Sequence, residues 1–220
     1  MNCPSNKSRI LIVDDHPIVC EGLTARIDSQ DDLEVCGAAS NVTDALTAYR
    51  TLSPDLIIVD IQLEEGNGIE LIKEIHGRNS AAKMLVISAY DESLFAERAL
   101  RAGALGYVNK RELQTNVISA IRTVLNGERY LSPKMTQQLV SQAITQKDST
   151  EEDPVQRLSD RELEVFQLIG HGKTTAAIAS QLQLSVHTID THREKLRHKL
   201  GVKNSAELMK LAVQWVLENG

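Results

Sequence analysis

The sequence predicts an α/β doubly wound five-stranded parallel sheet followed by a separate all-α four-helix domain. Three observations carry this. From Arg9 to about Gly127 short β-type runs alternate with helix-length amphipathic segments. Several of those runs are continuously apolar, the pattern of strands covered by helices on both faces. Beyond a polar stretch at Gln142–Val155 no strand signal remains.

The strand runs are Ile10–Val13, Leu33–Gly37, Leu56–Val59, Met84–Ile87 and Leu105–Val108. Between and after them lie helix candidates at Pro17–Asp28, Val42–Arg50, Gly68–His76, Glu92–Ala102 and Glu112–Leu125. Pro17 suits a first helical turn because its fixed φ is already helical, and Asp91 is a candidate cap. Repeated strand-then-helix units with right-handed crossovers stack into one open sheet. The polar Gln142–Val155 stretch, which holds Pro154 and no apolar period, reads as an interdomain linker. The boundaries are therefore set at residues 1–127, 128–155 (a helix and linker) and 156–220. The last part reads as helices Ser159–Gly170, Thr174–Gln183, Ser185–Leu200 and Ser205–Leu217, with Ser159 and Glu162 spaced as a capping box.

Composition sets limits. The 220 residues carry 24 Lys and Arg against 30 Asp and Glu, a net charge of -6. Bulk charge alone argues against nucleic acid. No apolar run approaches the length of a membrane span, the N-terminus lacks a signal-peptide core, and Cys3, Cys20 and Cys36 show no metal-finger or C-x-x-C spacing. A reduced, cytoplasmic location without membrane contact is expected.

Asp14 and Asp15 follow the first strand and Asp60 follows the third, so a parallel sheet brings three carboxylates to one crevice at its carboxyl edge. Their mutual repulsion costs on the order of a few kcal/mol per pair and calls for a cation. Oxygen ligands alone point to Mg²⁺. Ser88 and Lys110, after the fourth and fifth runs, reach the same edge. A carboxylate nucleophile with a divalent ion, a hydroxyl and an ammonium suits phosphoryl transfer to Asp60. Taken one at a time these residues have plainer roles: an Asp after a strand is often a helix cap, and Ser88 or Tyr107 could be core-edge residues.

The set resembles the receiver domain of bacterial two-component response regulators over roughly Arg9–Gly127. The resemblance implies a flavodoxin-like sheet in the order 2-1-3-4-5, Asp60 as phosphoacceptor, Ser88 as switch hydroxyl, Tyr107 as switch aromatic and Lys110 as the family lysine. It also implies Mg²⁺ held by Asp15, Asp60 and the backbone carbonyl of Gln62, with Asp14 acting mostly through water. Leu63-Glu64-Glu65 and Arg111 depart from the common pattern. Two added carboxylates could alter metal affinity or phosphoryl lifetime, and a cis bond after Lys110 is not expected because no proline follows it.

In the second half, two helices flank a short turn at Gln183–Ser185, the spacing of a helix-turn-helix. Ile189, Leu196 and Leu200 mark the buried face of the second helix, which leaves His187, Thr191, Glu194, Lys195 and His198 outward with Asp190 at the edge. Arg193 to Lys203 holds five cations and one acid, so basic charge is local even though residues 151–220 carry ten acids against nine bases. The plainer reading is a solvated helix face. Leu158–Trp215 resembles the four-helix DNA-binding domain of the quorum- and nitrate-regulator class, the LuxR-type domain of the NarL/FixJ family. That resemblance rests on Leu158-Ser-Asp-Arg-Glu-Leu-Glu-Val165, Gly172, Ile178-Ala179, Leu182, Ser185, Thr188-Ile189, His192, Lys199-Leu200 and Ala206. It implies Ser185–Leu200 as recognition helix, with His187, Thr188, Asp190, Thr191, Arg193, Glu194, Lys195, His198 and Lys199 at double-stranded DNA, and Ser205–Leu217 as a dimer contact. Ala177 and Asp190 depart from the common residues. His192 is expected to pack or touch phosphate, and Trp215 to lie in the core or a dimer seam.

The expectation is a phosphorylation-controlled regulator that receives its phosphoryl group from a histidine kinase, binds DNA as a homodimer, and catalyses only its own phosphorylation and dephosphorylation. On modification, Tyr107 should turn inward. An Asp-nucleophile phosphatase would want an acid where Gln62 stands. A phosphorylation-insensitive adaptor conflicts with the intact site, and dinucleotide binding lacks fingerprint spacing around Gly66-Asn67-Gly68.

Overall fold

The structure, a computed structural model, describes residues 7–63, 66–89, 92–137, 140 and 154–219. Glu64, Glu65, Asp91, Cys3 and most of the expected linker lie outside them. The chain divides into two compact units, Met1–Gln138 and Leu139–Gly220.

The first unit runs β1 (Ser8–Val13), α1 (Pro17–Asp28), β2 (Leu33–Ala39), α2 (Val42–Leu52), β3 (Leu56–Asp60), α3 (Gly68–Arg78), β4 (Met84–Ser88), α4 (Glu92–Ala102), β5 (Gly106–Asn109) and α5 (Leu113–Leu125). All neighbouring strands are parallel and the order is β2-β1-β3-β4-β5, as expected. β3 and β4 are buried along their whole length, which is why they read as unbroken apolar runs. β2, at the edge, is only half-buried and runs two residues past its predicted end. There Ala39 accepts from the N–H of Asp14, which fixes the start of the acidic loop.

One face of the sheet packs Ile10, Ile12, Leu56, Ile58, Leu85, Ile87 and Val108 against Leu23 and Ile27 of α1 and Val117, Ile121 and Val124 of α5. The alternate residues Leu11, Ile57, Val59 and Val86 are buried as well. The central strands β1, β3 and β4 are thus covered on both faces up to the carboxyl edge.

The expected boundary at Gly127 falls short of the first unit's end. Tyr130 pairs with the edge of β5, its carbonyl accepting from Tyr107 N–H at 3.0 Å and its N–H donating to Leu105 at 3.0 Å. Ser132 N–H then donates to Glu92 Oε1 at 3.0 Å, and residues 133–137 are helical. A short, turn-rich edge segment of this kind carries no periodic signal.

The second unit holds α6 (Asp160–Gly170), α7 (Thr175–Gln181), α8 (Val186–Leu200) and α9 (Ser205–Asn219). Ser159 and Glu162 form the expected capping box, and Thr174 and Ser185 cap α7 and α8. Leu163, Phe166, Ile169, Ile178, Leu182, Ile189, Leu196, Leu208 and Ala212 make its core. Trp215 stacks at a tilt on Phe166 with centroids 5.5 Å apart, so it belongs to that core. α7 ends two residues earlier than predicted because Gln183 turns into the left-handed region, φ 51°, to start the turn.

Candidate functional site

The parallel register sets the first site. Val13 pairs with Val59, Asp60 with Ile87, and Ser88 with Asn109, so Asp14, Asp60, Ser88 and Lys110 step along one edge of the sheet. Asn109 accepts from Arg111 N–H at 3.0 Å, capping the 3-10 turn Lys110–Glu112 that turns Lys110 back over the edge.

Lys110 Nζ lies 2.7 Å from Asp14 Oδ2 and 2.7 Å from Asp60 Oδ2. Asp14 and Asp60 are 4% and 2% exposed, and Ser88 is fully buried. Burial pushes the Asp60 carboxyl up to about 6, with the Lys110 ammonium pulling it down and the Asp14 charge raising it further. For Lys110, burial disfavours the charge, but Asp60 and Asp14 outweigh it and hold the ammonium above its ordinary range. One cation facing two buried carboxylates leaves excess negative charge.

The remaining oxygen atoms differ in their commitments. Asp14 Oδ1 accepts from His16 N–H at 2.9 Å, and Asp60 Oδ1 accepts from Gln62 N–H at 3.3 Å. Asp15 Oδ1 is buried without a well-formed hydrogen bond, its close polar neighbour being the His16 ring Nδ1 at 2.7 Å. A buried carboxylate oxygen without a well-formed hydrogen bond, beside further carboxylates, is an environment that a divalent ion satisfies. Asp14, Asp15, His16 and Asp60 each offer one ligand atom, all within 4.8 Å of one another. Asp15 is accordingly the open carboxylate, whereas both oxygens of Asp14 and both of Asp60 already accept from a donor. Gln62 stands two residues past Asp60 on the same loop.

Two further features escape a reading of residue types alone. His16 places Nδ1 at 3.1 Å from Asp14 Oδ1 and 2.7 Å from Asp15 Oδ1, although as a residue between an acidic pair and a proline it looks like simple helix lead-in. Gly66-Asn67-Gly68, which fails as a dinucleotide fingerprint, closes the Asp60 loop. Gly66 has φ 98°, Asn67 caps α3, and a Cβ at Gly68 would overlap the Asp60 carbonyl. Tyr107 is already inward, 1% exposed. An inward swing has no room to occur from this arrangement.

On α8 the nine expected DNA residues separate into two sets. His187, Asp190, Thr191, Glu194, Lys195 and His198 are exposed, and Thr188 is half-buried near the Ser185 cap. Arg193 is drawn back to Thr175 Oγ1 at 3.4 Å, and Lys199 Nζ lies 2.6 Å from Glu162 Oε2. Both cations are therefore engaged within the domain. His192 is half-buried with Nδ1 unpartnered, and its basicity is lowered by burial and by the charges of Arg161 and Lys195. It packs rather than presenting itself to a ligand. No helix among the described residues is long and apolar enough to cross a membrane.

Comparison with known proteins gives a concordant picture. Residues 10–122 match the response regulator receiver domain, and residues 156–212 match the bacterial regulatory proteins of the luxR family. The oxygen regulatory protein NreC of Staphylococcus carnosus (strain TM300) is 34% identical over 210 residues, covering 94% of this chain and 97% of its own. The response regulator GacA of Pseudomonas aeruginosa is 31% identical over 206 residues, covering 94% and 95%. The crystal structure of a LuxR-family two-component response regulator from Aurantimonas sp. SI85-9A1 is 34% identical with a TM-score of 0.59, covering 63% of this chain and 99% of its own. RcsB from Salmonella enterica serovar Typhimurium, bound to promoter P1flhDC in the presence of the phosphomimetic BeF3-, is 25% identical with a TM-score of 0.61, covering 94% and 98%.

Proposed function

Because the chain belongs to the two-component response regulators that join a receiver domain to a LuxR-type DNA-binding domain, the NarL/FixJ type, we propose that it is a transcriptional regulator switched by phosphorylation of Asp60. The observation that carries the proposal is Lys110 Nζ set 2.7 Å from both Asp14 and Asp60 at the end of the central strands. A carboxylate oxygen of Asp60 attacks the phosphorus of a phosphohistidine on a histidine kinase. The new P–O bond forms as the P–N bond breaks, and the imidazole leaves with the electron pair. Lys110 and the Ser88 hydroxyl neutralise charge on the transferring oxygens.

The donor set fits Mg²⁺, which Asp15 and Asp60 would hold together with the Gln62 carbonyl and, through water, Asp14. The ion supplies charge neutralisation and alignment of the phosphoryl oxygens. Lys110 also holds Asp60 in its ionised, nucleophilic form against the effect of burial. Ser88 and Tyr107 relay the modification. With Tyr107 already inward, phosphorylation stabilises this arrangement rather than creating it. The protein's chemistry is limited to its own phosphorylation and dephosphorylation, and its setting is the cytoplasm.

In the second unit, α8 enters the major groove of double-stranded DNA with His187, Asp190, Thr191, Glu194, Lys195 and His198 forward. RcsB bound to a promoter supports this use of the domain. Met209, Val213 and Leu217, three exposed apolar residues at four-residue spacing on α9, form the face for a homodimer on DNA. The test is selection of bound DNA by wild type and Asp60→Asn, each with and without a small phosphodonor. A donor-dependent gain in affinity confined to wild type is expected. Equal gain in Asp60→Asn would overturn the assignment.

A further inference from the structure

We infer that Arg161 is a positioning residue for DNA readout: its guanidinium joins a buried carboxylate of α6 to the turn between α7 and α8, and so sets the angle at which α8 meets the bases. The inference rests on the reading of α8 as the helix that enters the major groove.

The link begins with a carboxylate in an apolar place. Glu164 is wholly buried in α6, one turn after Arg161, whose side chain is 20% exposed. Arg161 Nη1 donates to Glu164 Oε2 at 2.7 Å, a contact that the i, i+3 spacing of a helix allows. A buried carboxylate needs such a cation, and neutralisation asks for only one of the guanidinium nitrogens. Nη2 serves a different element: it donates to the Leu182 carbonyl at 2.9 Å, 21 residues along the chain. The guanidinium is planar and rigid, so fixing one nitrogen at Glu164 fixes where the other holds Leu182. An apolar pair at positions 161 and 164 would also satisfy the core, but without that second bond.

Leu182 is where the chain changes direction. It is the C-cap of α7, so its carbonyl is one of those that a helix end leaves without an intrahelical donor. Gln183 then enters the left-handed region at φ 51°, the Leu184 N–H returns to the Ala179 carbonyl at 2.9 Å, and Ser185 caps α8. Val186 already begins α8, so a displacement at Leu182 passes through a short turn to the helix axis. Beside Arg161, Glu162 holds Lys199 in the last turn of α8 at 2.6 Å. Adjacent residues of α6 thus hold the two ends of α8, one through the turn and one directly. Base-edge hydrogen bonds are directional, whereas attraction to phosphate tolerates a tilt. Loss of the Arg161 link should therefore lower discrimination among sequences more than affinity for DNA as such.

The test uses the full chain and two duplexes, one selected by the wild type and one scrambled. The double variant Arg161→Met with Glu164→Leu removes the ion pair and keeps the core apolar, so folding is retained while the Leu182 bond is lost. Its ratio of selected to scrambled affinity should fall about tenfold or more, the scale of a mismatched base pair. Scrambled-duplex affinity and its salt slope should hold. Glu164→Gln, which still offers the guanidinium an acceptor, should keep the wild-type ratio. Leu208→Ala, a core truncation, should lower the unfolding midpoint without changing the ratio. If the double variant does not fold, Arg161→Lys, which keeps the charge but not the planar fork, is read by the same ratio. A wild-type ratio in the variant lacking the fork, an equal loss in Glu164→Gln, or an equal loss on both duplexes would overturn the assignment. Amide chemical shifts of Gln183 and Leu184 in the unbound chain should move in the double variant and not in Glu164→Gln, and unmoved shifts in the double variant would also overturn it. A wild type that selects no sequence counts against the DNA reading of α8, and the shifts still decide whether Arg161 holds the turn.

Discussion

Lys199 donates to Glu162 across 2.6 Å, tying the last turn of α8 to the first turn of α6. Glu162 also accepts from Ser159 N–H at 2.7 Å, so its carboxylate serves the helix cap and the ion pair at once. Burial opposes that charge, but Lys199 and the Ser159 groups outweigh it and hold the carboxyl below its ordinary range. Because the folded value lies below the unfolded one, the stabilisation is complete above the ordinary carboxylate range and is lost as pH falls through the folded value. Lys199 is partly exposed, which limits the contribution to about 1 kcal/mol. Denaturant unfolding followed by Trp215, the one tryptophan of the sequence, should show that deficit for Glu162→Gln at pH 7. The deficit should shrink in acid, and a constant deficit would contradict the account.

The same pair shows where sequence reading stops. Asp14, Asp15, Asp60, Ser88 and Lys110 were legible because parallel strands deliver whatever follows them to one edge, so position along the chain is position at the site. The capping box at Ser159 was legible because it is local. Lys199 and Arg193 read as groove cations through the local run of basic residues and the family resemblance, not through the helical period. Only packing against α6 and α7 reveals their partners Glu162 and Thr175. Likewise nothing in the residue type of Glu164 tells that it is fully buried and paired with Arg161 at 2.7 Å. The roles of His16 and Gly68 depend on where the chain doubles back, which residue type and spacing do not reveal.

The split among the α8 cations gives a test at DNA. Lys195 is exposed, whereas Lys199 is committed to Glu162. Lys195→Ala should lower affinity for every sequence tested and reduce the slope of log affinity against log salt by about 0.9 if it holds one phosphate. Lys199→Ala should change that slope less while costing folding stability. Equal slope changes in fluorescence-anisotropy titrations would place both lysines on the backbone.

Asp190 faces outward in the first half of α8. A carboxylate there is repelled by phosphate but accepts from cytosine N4 in the major groove. Selected binding sites should therefore carry cytosine at the position read by Asp190. Asp190→Ala should relax that position, with a loss of discrimination of about 1–3 kcal/mol, while overall affinity holds or rises. Unaltered base preference in the variant would remove Asp190 from the readout.

Gly68 tests the loop behind the acceptor. Its N–H donates to the Ile61 carbonyl at 2.8 Å, and any Cβ would overlap the backbone of Asp60. Backbone cannot rotate aside as a side chain can, so the loop must open. Gly68→Ala should cost about 1–3 kcal/mol in unfolding of the first unit and reduce phosphodonor labelling of Asp60. Full labelling at native stability would show that the close approach is dispensable.

Lys110 carries the sharpest pH prediction. With its ammonium replaced in Lys110→Met, Asp14 and Asp60 face each other without a cation, and breaking such a buried pairing costs about 3 kcal/mol. The Asp60 carboxyl, already pushed up to about 6 with Lys110 present, must rise further when that charge is removed. A folded value above the unfolded one means the folded state binds the proton more tightly, so stability increases as pH falls through the folded value. The deficit of Lys110→Met, read by far-ultraviolet circular dichroism or by hydrogen exchange along β3, should therefore be largest above neutral pH and narrow toward pH 5. Phosphodonor labelling should fall by about 100-fold or more, the loss expected for one preorganised charge at the transferring oxygens. A pH-independent deficit with labelling preserved would mean that the 2.7 Å contacts to Asp14 and Asp60 do not govern the charge of the site.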